Sequence, residues 1–409
     1  MSAQQGPKIV VLGRMCFNPF GGVVWQALHY MLGLRQLGFD PYYVEGHGKW
    51  VADPVNASTN PEMPRVMIGE VMQRFGFADH WMCRADYIEK GYSFGGMSQK
   101  KLASVCADAE AILNLTATNV IDAEQYECPR RIYLETDPGV PQIRLTENDP
   151  KIWNLVSSHT HHFTFAENLG NADCGLPKPS NLKYYPTRQP VVLDLWATPF
   201  DLSCQNFTTI AKWGGRPCRQ DIEFHGDVYP WRKDLEFRKF LDLPGRSRQP
   251  IELALSKLSR QDETTLKEHG WRVACALSLS ASIDDYQRYI QRSRGEFTVA
   301  KDQNVRLRSG WFSDRSACYL AAGKPVITQD TGFGNVLPTG EGLFAFQTMD
   351  DILSAFDAID SNYERHCRAA RDIAREYFDA TKVLRDLLHK VGLEPPVEER
   401  CVFTKADIS

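Results

Sequence analysis

Short apolar runs alternate with amphipathic stretches along most of this chain. The first run, Lys8–Leu12, has the length and hydrophobicity of a strand that is buried on both faces. A glycine-rich loop follows, and apolar residues then recur at helical spacing from Val24 to Leu34, with Gly38 placed to end the helix. A second run, Pro41–Glu45, completes a strand–helix–strand unit, so the pattern predicts a parallel sheet.

The same alternation continues, stops at a proline-rich segment and then restarts. Prolines concentrate between about residues 170 and 206, a composition that favours a domain boundary. Further strand candidates are 111–115, 131–134, 162–165, 207–210, 221–224, 251–255, 296–300 and 325–328. From about 349 to 392 the pattern becomes helical. We predict two doubly wound α/β domains, at residues 1–195 and 196–362, followed by helices within 363–409.

Composition narrows the class of protein. With 409 residues, 43% of them hydrophobic and 24% charged, the chain is typical of globular proteins with two or three domains. No apolar run approaches the roughly 18 residues that span a bilayer, and the first residues do not resemble a secretion signal. The net charge of −4 provides no basic field for nucleic acid or a membrane. We expect a cytoplasmic protein without a transmembrane segment or a nucleic-acid partner.

The distribution of cysteine and histidine argues against a metal site. The eleven cysteines are scattered and form no CxxC pair, which fits reduced thiols better than a disulfide framework or a zinc site. His159, His161 and His162 stand close together, but no further ligand lies near them in the sequence. We therefore predict no bound metal.

The segment 309–334 contains the strongest local signal. A polar loop leads into a short helix beginning near Ser313 or Asp314, and the free N–H groups of such a helix suit a phosphate. Gly323 ends this helix and Pro325–Thr328 forms the next strand. The glycines of the loop 330–334 let its backbone approach a ligand closely.

This segment resembles the donor-binding domain of the GT-B glycosyltransferases. Ala-Ala-Gly-Lys-Pro-Val-Ile at 321–327, followed by Asp-x-Gly at 330–332, matches a pattern common in that domain. Gly21-Gly22, with Gly38 sixteen residues after the second glycine, matches the first loop and helix of the retaining, glycosyltransferase group 1-like branch.

The resemblance implies two facing Rossmann-like domains with C-terminal helices that cross back to the first domain. The first domain would hold the acceptor. The second would hold a nucleotide-diphosphate sugar as co-substrate, with no other cofactor and no obligatory metal ion.

The sequence departs from the family pattern at three positions. The retaining branch carries two glutamates eight residues apart, and counting back from Gly323 places Gly310 and Cys318 there. The inverting branch carries a histidine after the glycine loop, where this chain has Val23. The stereochemical outcome therefore stays open.

The candidate site residues follow from the resemblance and from the charge on a departing diphosphate. Cations stabilise that charge, and backbone amides and hydroxyls bind phosphate and sugar oxygens. The candidate donor-binding residues are Gly21, Gly22, Lys212, Arg216, His225, Lys301, Arg306, Arg308, Ser313, Asp314, Arg315, Ser316, Asp330, Thr331, Gly332 and Phe333. The candidate catalytic residues are His161, His162, Asp137 and Lys212.

The leading hypothesis is a hexosyltransferase-type enzyme that acts on a small-molecule or glycan acceptor. A nucleotide-sugar epimerase on the same scaffold and an inactive sugar-nucleotide binding protein are the alternatives. A dinucleotide-dependent dehydrogenase is disfavoured because no GxGxxG follows the first strand. The sequence assigns no oligomeric state.

Overall fold

The computed structural model describes residues 6–46, 62–85, 89–117, 119–121, 127–214 and 221–396. Within these ranges the chain forms two large sheets, each flanked by helices, and the chain passes from the first sheet to the second near residue 200.

The first sheet is almost entirely parallel. Its strands are β1 (Lys8–Leu12), β2 (Asp40–Glu45), β3 (Trp81–Arg84), β4 (Ser93–Gly95), β5 (Ala109–Leu115), β6 (Arg131–Glu135), β7 (His161–Thr164) and β8 (Tyr184–Pro186). Their order is β4-β3-β2-β1-β5-β6-β7-β8, and among the described strands of this sheet only β3 and β4 pair antiparallel. The central β1 is buried along nearly its whole length, as expected for a continuous apolar run between two layers of helices.

Six helices accompany this sheet in the described ranges. They are α1 (Gly21–Gln36), α2 (Glu62–Arg74), α3 (Gln99–Ala107), α4 (Val140–Thr146), α5 (Pro150–Ser157) and α6 (Leu193–Trp196). As predicted, α1 is followed by Gly38, whose φ of 87° lets the chain reverse towards β2.

The second sheet is parallel throughout. Its strands are β9 (Phe207–Lys212), β12 (Ile251–Ser256), β13 (Arg272–Cys275), β14 (Gly295–Thr298), β15 (Val326–Gln329) and β16 (Leu343–Phe346), and β10 (Ile222–Phe224) and β11 (Asp227–Tyr229) form a separate hairpin. The order is β13-β12-β9-β14-β15-β16.

The first helices of the second half cover this sheet, and the last one packs on the first half. They are α7 (Asp234–Arg238), α8 (Leu243–Arg246), α9 (Arg260–Glu268), α10 (Ala276–Leu279), α11 (Ile283–Gln291), α12 (Asp302–Arg306), α13 (Asp314–Ala321), α14 (Met349–Ser361), α15 (Tyr363–Ile373) and α16 (Ala380–Lys390). The predicted N-cap of α11 is confirmed, because the hydroxyl of Ser282 accepts a hydrogen bond from the Asp285 amide at 3.0 Å.

The chain ends against the first sheet's helices. A Cβ on Gly33 of α1 would lie 2.6 Å from Leu384 Cδ1 and 2.9 Å from Ala380 Cβ, so α1 and α16 pack in close contact. Arg130 Nε also donates to the Val391 carbonyl at 3.1 Å. The predicted C-terminal crossover is confirmed, whereas the domain limits at residues 195 and 362 stay a prediction.

One strand prediction needs correction. The run 221–224 does form a strand, but it pairs with β11 and not with the parallel sheet. His225 and Gly226 connect the two strands with φ values of 54° and 82°, the left-handed geometry of a two-residue hairpin turn. The apolar residues of this hairpin, Ile222 and Tyr229, pack against Ile143 and Leu176, which lie among the elements of the first sheet.

None of the helices in the described ranges is long and apolar enough to span a bilayer.

Candidate functional site

A cavity of about 1010 Å³ lies at the carboxyl edge of the second sheet. Its walls come from the ends of β9 and β12 and from the loops that follow them. This is the edge at which parallel α/β sheets bind their ligands. The charged side chains that line it are Lys212, Arg232, Lys233, Arg238, Lys257, Lys301, Arg315, Asp234 and Asp262. Cations thus exceed carboxylates by seven to two, which favours an anionic ligand. We call this cavity the cationic cavity.

The guanidinium of Arg315 is held rigidly in this cavity. Its Nη1 donates to the Ile210 carbonyl at 2.6 Å, its Nη2 donates to Thr298 Oγ1 at 2.9 Å, and its Nε pairs with the carboxylate of Glu296. Burial alone would lower the pKa of Arg315, but the buried Glu296 carboxylate outweighs it and the pKa is raised. Arg315 is therefore a fixed positive charge.

Lys233 is an almost completely buried amine in the same cavity. Its Nζ donates to the Val299 carbonyl at 2.7 Å. Burial, followed by repulsion from Arg315 and Lys301, holds the pKa of Lys233 well below its usual range. An anion bound between these three cations would relieve that repulsion.

Lys301 links the cavity to the other half of the molecule. Its ammonium pairs with the carboxylate of Asp137, which follows β6, and lies 3.2 Å from the centroid of the Trp231 ring. Beside this pair, Trp311 Nε1 donates to the Thr136 carbonyl at 3.0 Å. Asp137 Oδ1 is buried and has no hydrogen-bond partner among the described residues. The loop after β6 thus closes against the cavity's rim.

Comparison with known proteins was informative at the level of structure. No protein-family model and no curated protein matches the chain. An α-glucosyltransferase solved with UDP and a 13-mer DNA containing an HMU base is 10% identical, covers 95% of this chain and 100% of its own, and superposes with a TM-score of 0.55. Anabaena HepE with UDP-glucose is 10% identical over 94% and 99% of the two chains, with a TM-score of 0.54. Sucrose-phosphate synthase from Thermosynechococcus elongatus is 11% identical over 95% and 99%, with a TM-score of 0.54.

The chain has the GT-B fold. The predicted fold class, with two facing α/β domains and a C-terminal crossover, is thereby confirmed. Similar structures are only about 9 to 12% identical to this chain in sequence. The likeness therefore establishes the fold and assigns no role to individual residues.

Three of the predicted donor-binding residues line the cationic cavity, namely Lys212, Lys301 and Arg315. Arg216 lies outside the described residues. The other predicted donor-binding residues within the described ranges do not line this cavity, and their role in donor binding stays a prediction.

Gly21 and Gly22 contact the second domain and not the cavity. The amide of Gly21 donates to the Ser280 carbonyl at 2.7 Å, so it is not available to a diphosphate in this structure. A Cβ on Gly21 would lie 2.6 Å from Tyr286 Cβ, and one on Gly22 would lie 3.1 Å from the Tyr286 ring. Close packing of α1 against α11 therefore explains both glycines.

The loop 330–333 also serves an interdomain contact. Asp330 pairs with Arg308 at 2.9 Å, and Arg308 pairs in turn with Asp173 of the first domain at 2.9 Å. A Cβ on Gly332 would lie 2.9 Å from Asn168 Nδ2. These residues do not line the cavity.

The side chains of Thr331 and Phe333 are occupied as well. The Thr331 hydroxyl donates to the Trp311 carbonyl at 2.6 Å, and Phe333 is buried against Phe312. The predicted sugar-contacting loop is thus packed inside the interface between the two domains.

The start of α13 faces α1. Gln26 Nε2 donates to the Asp314 carboxylate at 3.0 Å, and burial raises the pKa of Asp314 to about 6. Ser313 and Ser316 are buried too, and Ser316 Oγ has no partner among the described residues. Of the four polar residues predicted here, only Arg315 reaches the cavity.

His225 lies in the β10–β11 hairpin, and Arg306 of α12 contacts it. His225 is exposed in the turn between β10 and β11. This hairpin is separate from the parallel sheet at whose strand ends His225 was expected. Arg306 pairs with Asp227 at 2.9 Å and lies over the Tyr229 ring, so it holds the hairpin in place.

His161 and His162 lie at the amino end of their strand, at the opposite edge of the sheet from the predicted catalytic residue Asp137. Both are the first residues of β7, whereas Asp137 follows the carboxyl end of the adjacent parallel β6. His162 Nε2 bonds the Val156 carbonyl at 3.0 Å, and burial lowers the pKa of both rings. A structural role accounts for these contacts.

Several residues of the site carry no clear sequence signal. Lys233 and Glu296 lie in segments that match no known motif, and the only local signal near Lys233 is the aromatic and basic run Trp231-Arg232-Lys233. Glu135, beneath Asp137, is a fully buried carboxyl group whose pKa is raised by burial to about 7.

One further cluster bears on metal binding. In the described part of the chain, Cys16, Glu45 and Cys83 form the group whose ligand atoms lie within 4.8 Å of one another. Glu45 already accepts hydrogen bonds from the amides of Cys16 and Phe17 and from the Tyr43 hydroxyl. These contacts account for its buried carboxylate, and the cluster lies outside the cationic cavity.

Proposed function

We propose that this protein transfers a hexosyl group from a nucleotide-diphosphate sugar to an acceptor hydroxyl. The observation that carries the proposal is the convergence of Lys233, Lys301 and Arg315 on a large cavity at the carboxyl edge of the second GT-B sheet. Neighbouring structures of this fold contain UDP or UDP-glucose. A nucleoside diphosphate has the charge that these three cations would neutralise.

The cations would act directly on the leaving group. As the glycosidic bond to the diphosphate breaks, negative charge develops on the phosphate oxygens, and preorganised positive groups stabilise it. Arg315 is held by three partners and loses no freedom when a ligand binds. We propose that Lys212 and these cations make a divalent metal ion unnecessary.

Asp137 is the best candidate for the acceptor side. It belongs to the first domain, faces the cavity's rim through Lys301, and keeps one buried carboxylate oxygen without a described partner. The Asp137 carboxylate as a whole is about 35% exposed, and we propose that it accepts the proton of an incoming hydroxyl once its pairing with Lys301 is released. In this mechanism Asp137 is the general base, and the closed contact between the domains excludes water.

An inactive sugar-nucleotide binding protein is the second candidate. The position of the family's second glutamate is occupied by Cys318, which is buried beside His29 and does not line the cavity. The other glutamate position, Gly310, has a φ of 80° and packs on Asn168. Retaining chemistry of the usual kind therefore lacks its carboxylates.

The test begins with binding and continues to turnover. Thermal shift and calorimetry with UDP, GDP, TDP, ADP and their sugars identify the donor, since a ligand of the native state raises its stability. Lys233→Met is expected to reduce the shift strongly, and Lys267→Met, which removes an exposed cation of α9, is expected to keep it. The chosen donor is then incubated with pooled glycan acceptors, small-molecule acceptors and DNA that contains an HMU base.

Each outcome has one reading. Diphosphate release that depends on acceptor supports the transferase, and binding without release supports the inactive protein. Isomerised donor in the absence of acceptor would identify an epimerase. A failure of every nucleotide to bind would overturn the assignment of the cavity.

We also propose a cytoplasmic location. The nine cysteines within the described ranges are all free thiols, as expected in a reducing compartment.

A further inference from the structure

A second cavity lies where both connections between the two domains pass. It has a volume of about 210 Å³. One wall is the linker 198–201, which leads from α6 towards β9, and the other is α15, which leads back towards α16. Residues 322–324, which directly follow α13, form the floor. We call this cavity the hinge pocket.

The hinge pocket is rich in buried donors that have poor acceptors. Lys324 is only 3% exposed, and its Nζ has the Cys204 thiol, at 3.7 Å, as its partner in the described chain. Sulfur is a weak acceptor for an ammonium group. Arg371 Nη2 donates to the Thr198 carbonyl at 2.7 Å, but its Nε is buried without an acceptor among the described residues.

These two cations lie on adjoining elements. A Cβ on Gly323, the residue before Lys324, would lie 3.2 Å from Arg371 Nη2 and 3.5 Å from Arg371 Nε. Arg371 therefore crosses the end of α13, where Lys324 begins the turn into β15. Both residues line the same small cavity.

The carboxylates around the pocket are occupied by other groups. Glu364 pairs with Arg368 at 2.7 Å, and Asp372 pairs with Arg375 at 3.2 Å. Asp201 accepts hydrogen bonds from the Ser203 amide at 2.8 Å and from the Cys204 thiol at 3.6 Å, and its charge acts on Lys324 without a direct ion pair. Lys324 and Arg371 are left as the groups whose charge is not matched by a bonded carboxylate within the described residues.

We propose that the hinge pocket binds a small oxyanion, either inorganic phosphate or a phosphomonoester, between Lys324 and Arg371. A tetrahedral oxyanion supplies several acceptor oxygens to the buried donors that lack them. Bound there, it contacts both the outgoing linker and the returning helix α15. It therefore stabilises the relative arrangement of the two domains from a site that is separate from the cationic cavity.

The experiment measures phosphate binding to the full chain by calorimetry and thermal shift, at constant ionic strength with chloride as the reference. Inorganic phosphate and glycerol phosphate are titrated separately, which distinguishes the two sources of the anion. Because phosphate could also bind in the cationic cavity, the titrations are repeated in Lys233→Met, which weakens that cavity. Arg365→Gln is the matched control, since Arg365 is an exposed cation of the same helix that pairs with Glu341.

We expect at least one of the two anions to bind wild type, Lys233→Met and Arg365→Gln alike. Binding should weaken about tenfold or more in Lys324→Met and in Arg371→Gln, the factor expected for a lost charge-assisted hydrogen bond. Should Lys324→Met fail to fold, Arg371→Gln carries the test. Unchanged affinity in the Arg371 variant, loss of binding in Lys233→Met, or no binding of either anion at tens of millimolar would overturn the proposal.

Discussion

Asp137 and Lys301 form an ion pair across the boundary between the two domains. Lys301 lines the cationic cavity, and Asp137 follows a strand of the first sheet. A diphosphate in the cavity would compete with Asp137 for the same ammonium group. Donor binding would then free the carboxylate at the moment when an acceptor hydroxyl needs a base.

Replacing Asp137 by Asn should separate binding from catalysis. Without the competing carboxylate, nucleoside diphosphate affinity is expected to rise, by up to about fivefold for a partly exposed ion pair. Turnover should fall about a hundredfold or more, because the general base is lost. Calorimetry and initial-rate measurements on the same preparation check both effects. Weaker diphosphate binding in Asp137→Asn would contradict the competition.

Lys233 should couple ligand binding to proton uptake. Its pKa is held well below the usual range by burial and by the neighbouring Arg315 and Lys301 charges. A bound diphosphate stabilises the ammonium form and raises that pKa, so binding takes up protons and weakens as the pH rises above the lowered pKa. Calorimetry in buffers of different ionisation enthalpy measures the uptake.

Variants identify the group that takes up the proton. Lys233→Met should abolish the uptake, whereas the exposed Lys267→Met should leave it unchanged. Equal proton uptake in Lys233→Met and wild type would assign the effect to another residue.

The fold was predictable because its signals are local. Apolar runs such as Lys8–Leu12, and a helix stop such as Gly38, depend on burial and backbone geometry within a few residues. The hairpin at 222–229 was misassigned because its partner strand and packing surface are set by tertiary contacts. The cationic cavity was only partly predictable, through Lys212, Lys301 and Arg315.

The rest of the site depended on relationships that a linear pattern does not contain. Gly21 and Gly332 resemble ligand-binding glycines in sequence, yet here each avoids a clash with the opposite domain. Lys233 enters the cavity because a short segment after β11 returns to the end of β9, where Asp234 donates its amide to the Trp213 carbonyl at 3.1 Å. His161 and His162 show that a strand's direction decides which end reaches the site.

Glu135 should make the stability of the first domain depend on pH. Burial raises its pKa from 4.5 to about 7 in the folded protein, although Gln142 and Thr164 donate hydrogen bonds to its carboxylate. The folded state thus holds this proton more tightly than the unfolded state. The resulting stability is present below pH 4.5 and is lost as the pH rises through 7.

Glu135→Gln replaces the titrating carboxyl group by an amide that does not ionise in this pH range. Relative to wild type, the variant should gain up to about 3 kcal/mol between pH 4.5 and pH 8, since each pKa unit corresponds to about 1.4 kcal/mol. Urea unfolding followed by tryptophan fluorescence at both pH values measures the difference. The exposed Glu147→Gln serves as the control. Parallel stability curves for wild type and Glu135→Gln would contradict the buried, protonated carboxyl group.

Gly21→Ala should loosen the contact between the domains. The added methyl group would lie 2.6 Å from Tyr286 Cβ and closer still to the Ser282 carbonyl oxygen, a backbone atom that cannot move aside alone. Overpacking of this kind typically costs about 1–3 kcal/mol. The variant should therefore melt at a lower temperature and give a larger radius of gyration in small-angle scattering.

Gly245→Ala is the matched control, because a Cβ there meets nothing within 4 Å. If Gly21→Ala behaves like Gly245→Ala in both measurements, α1 and α11 are not in the close contact described, and the glycine pair regains its predicted role beside the diphosphate.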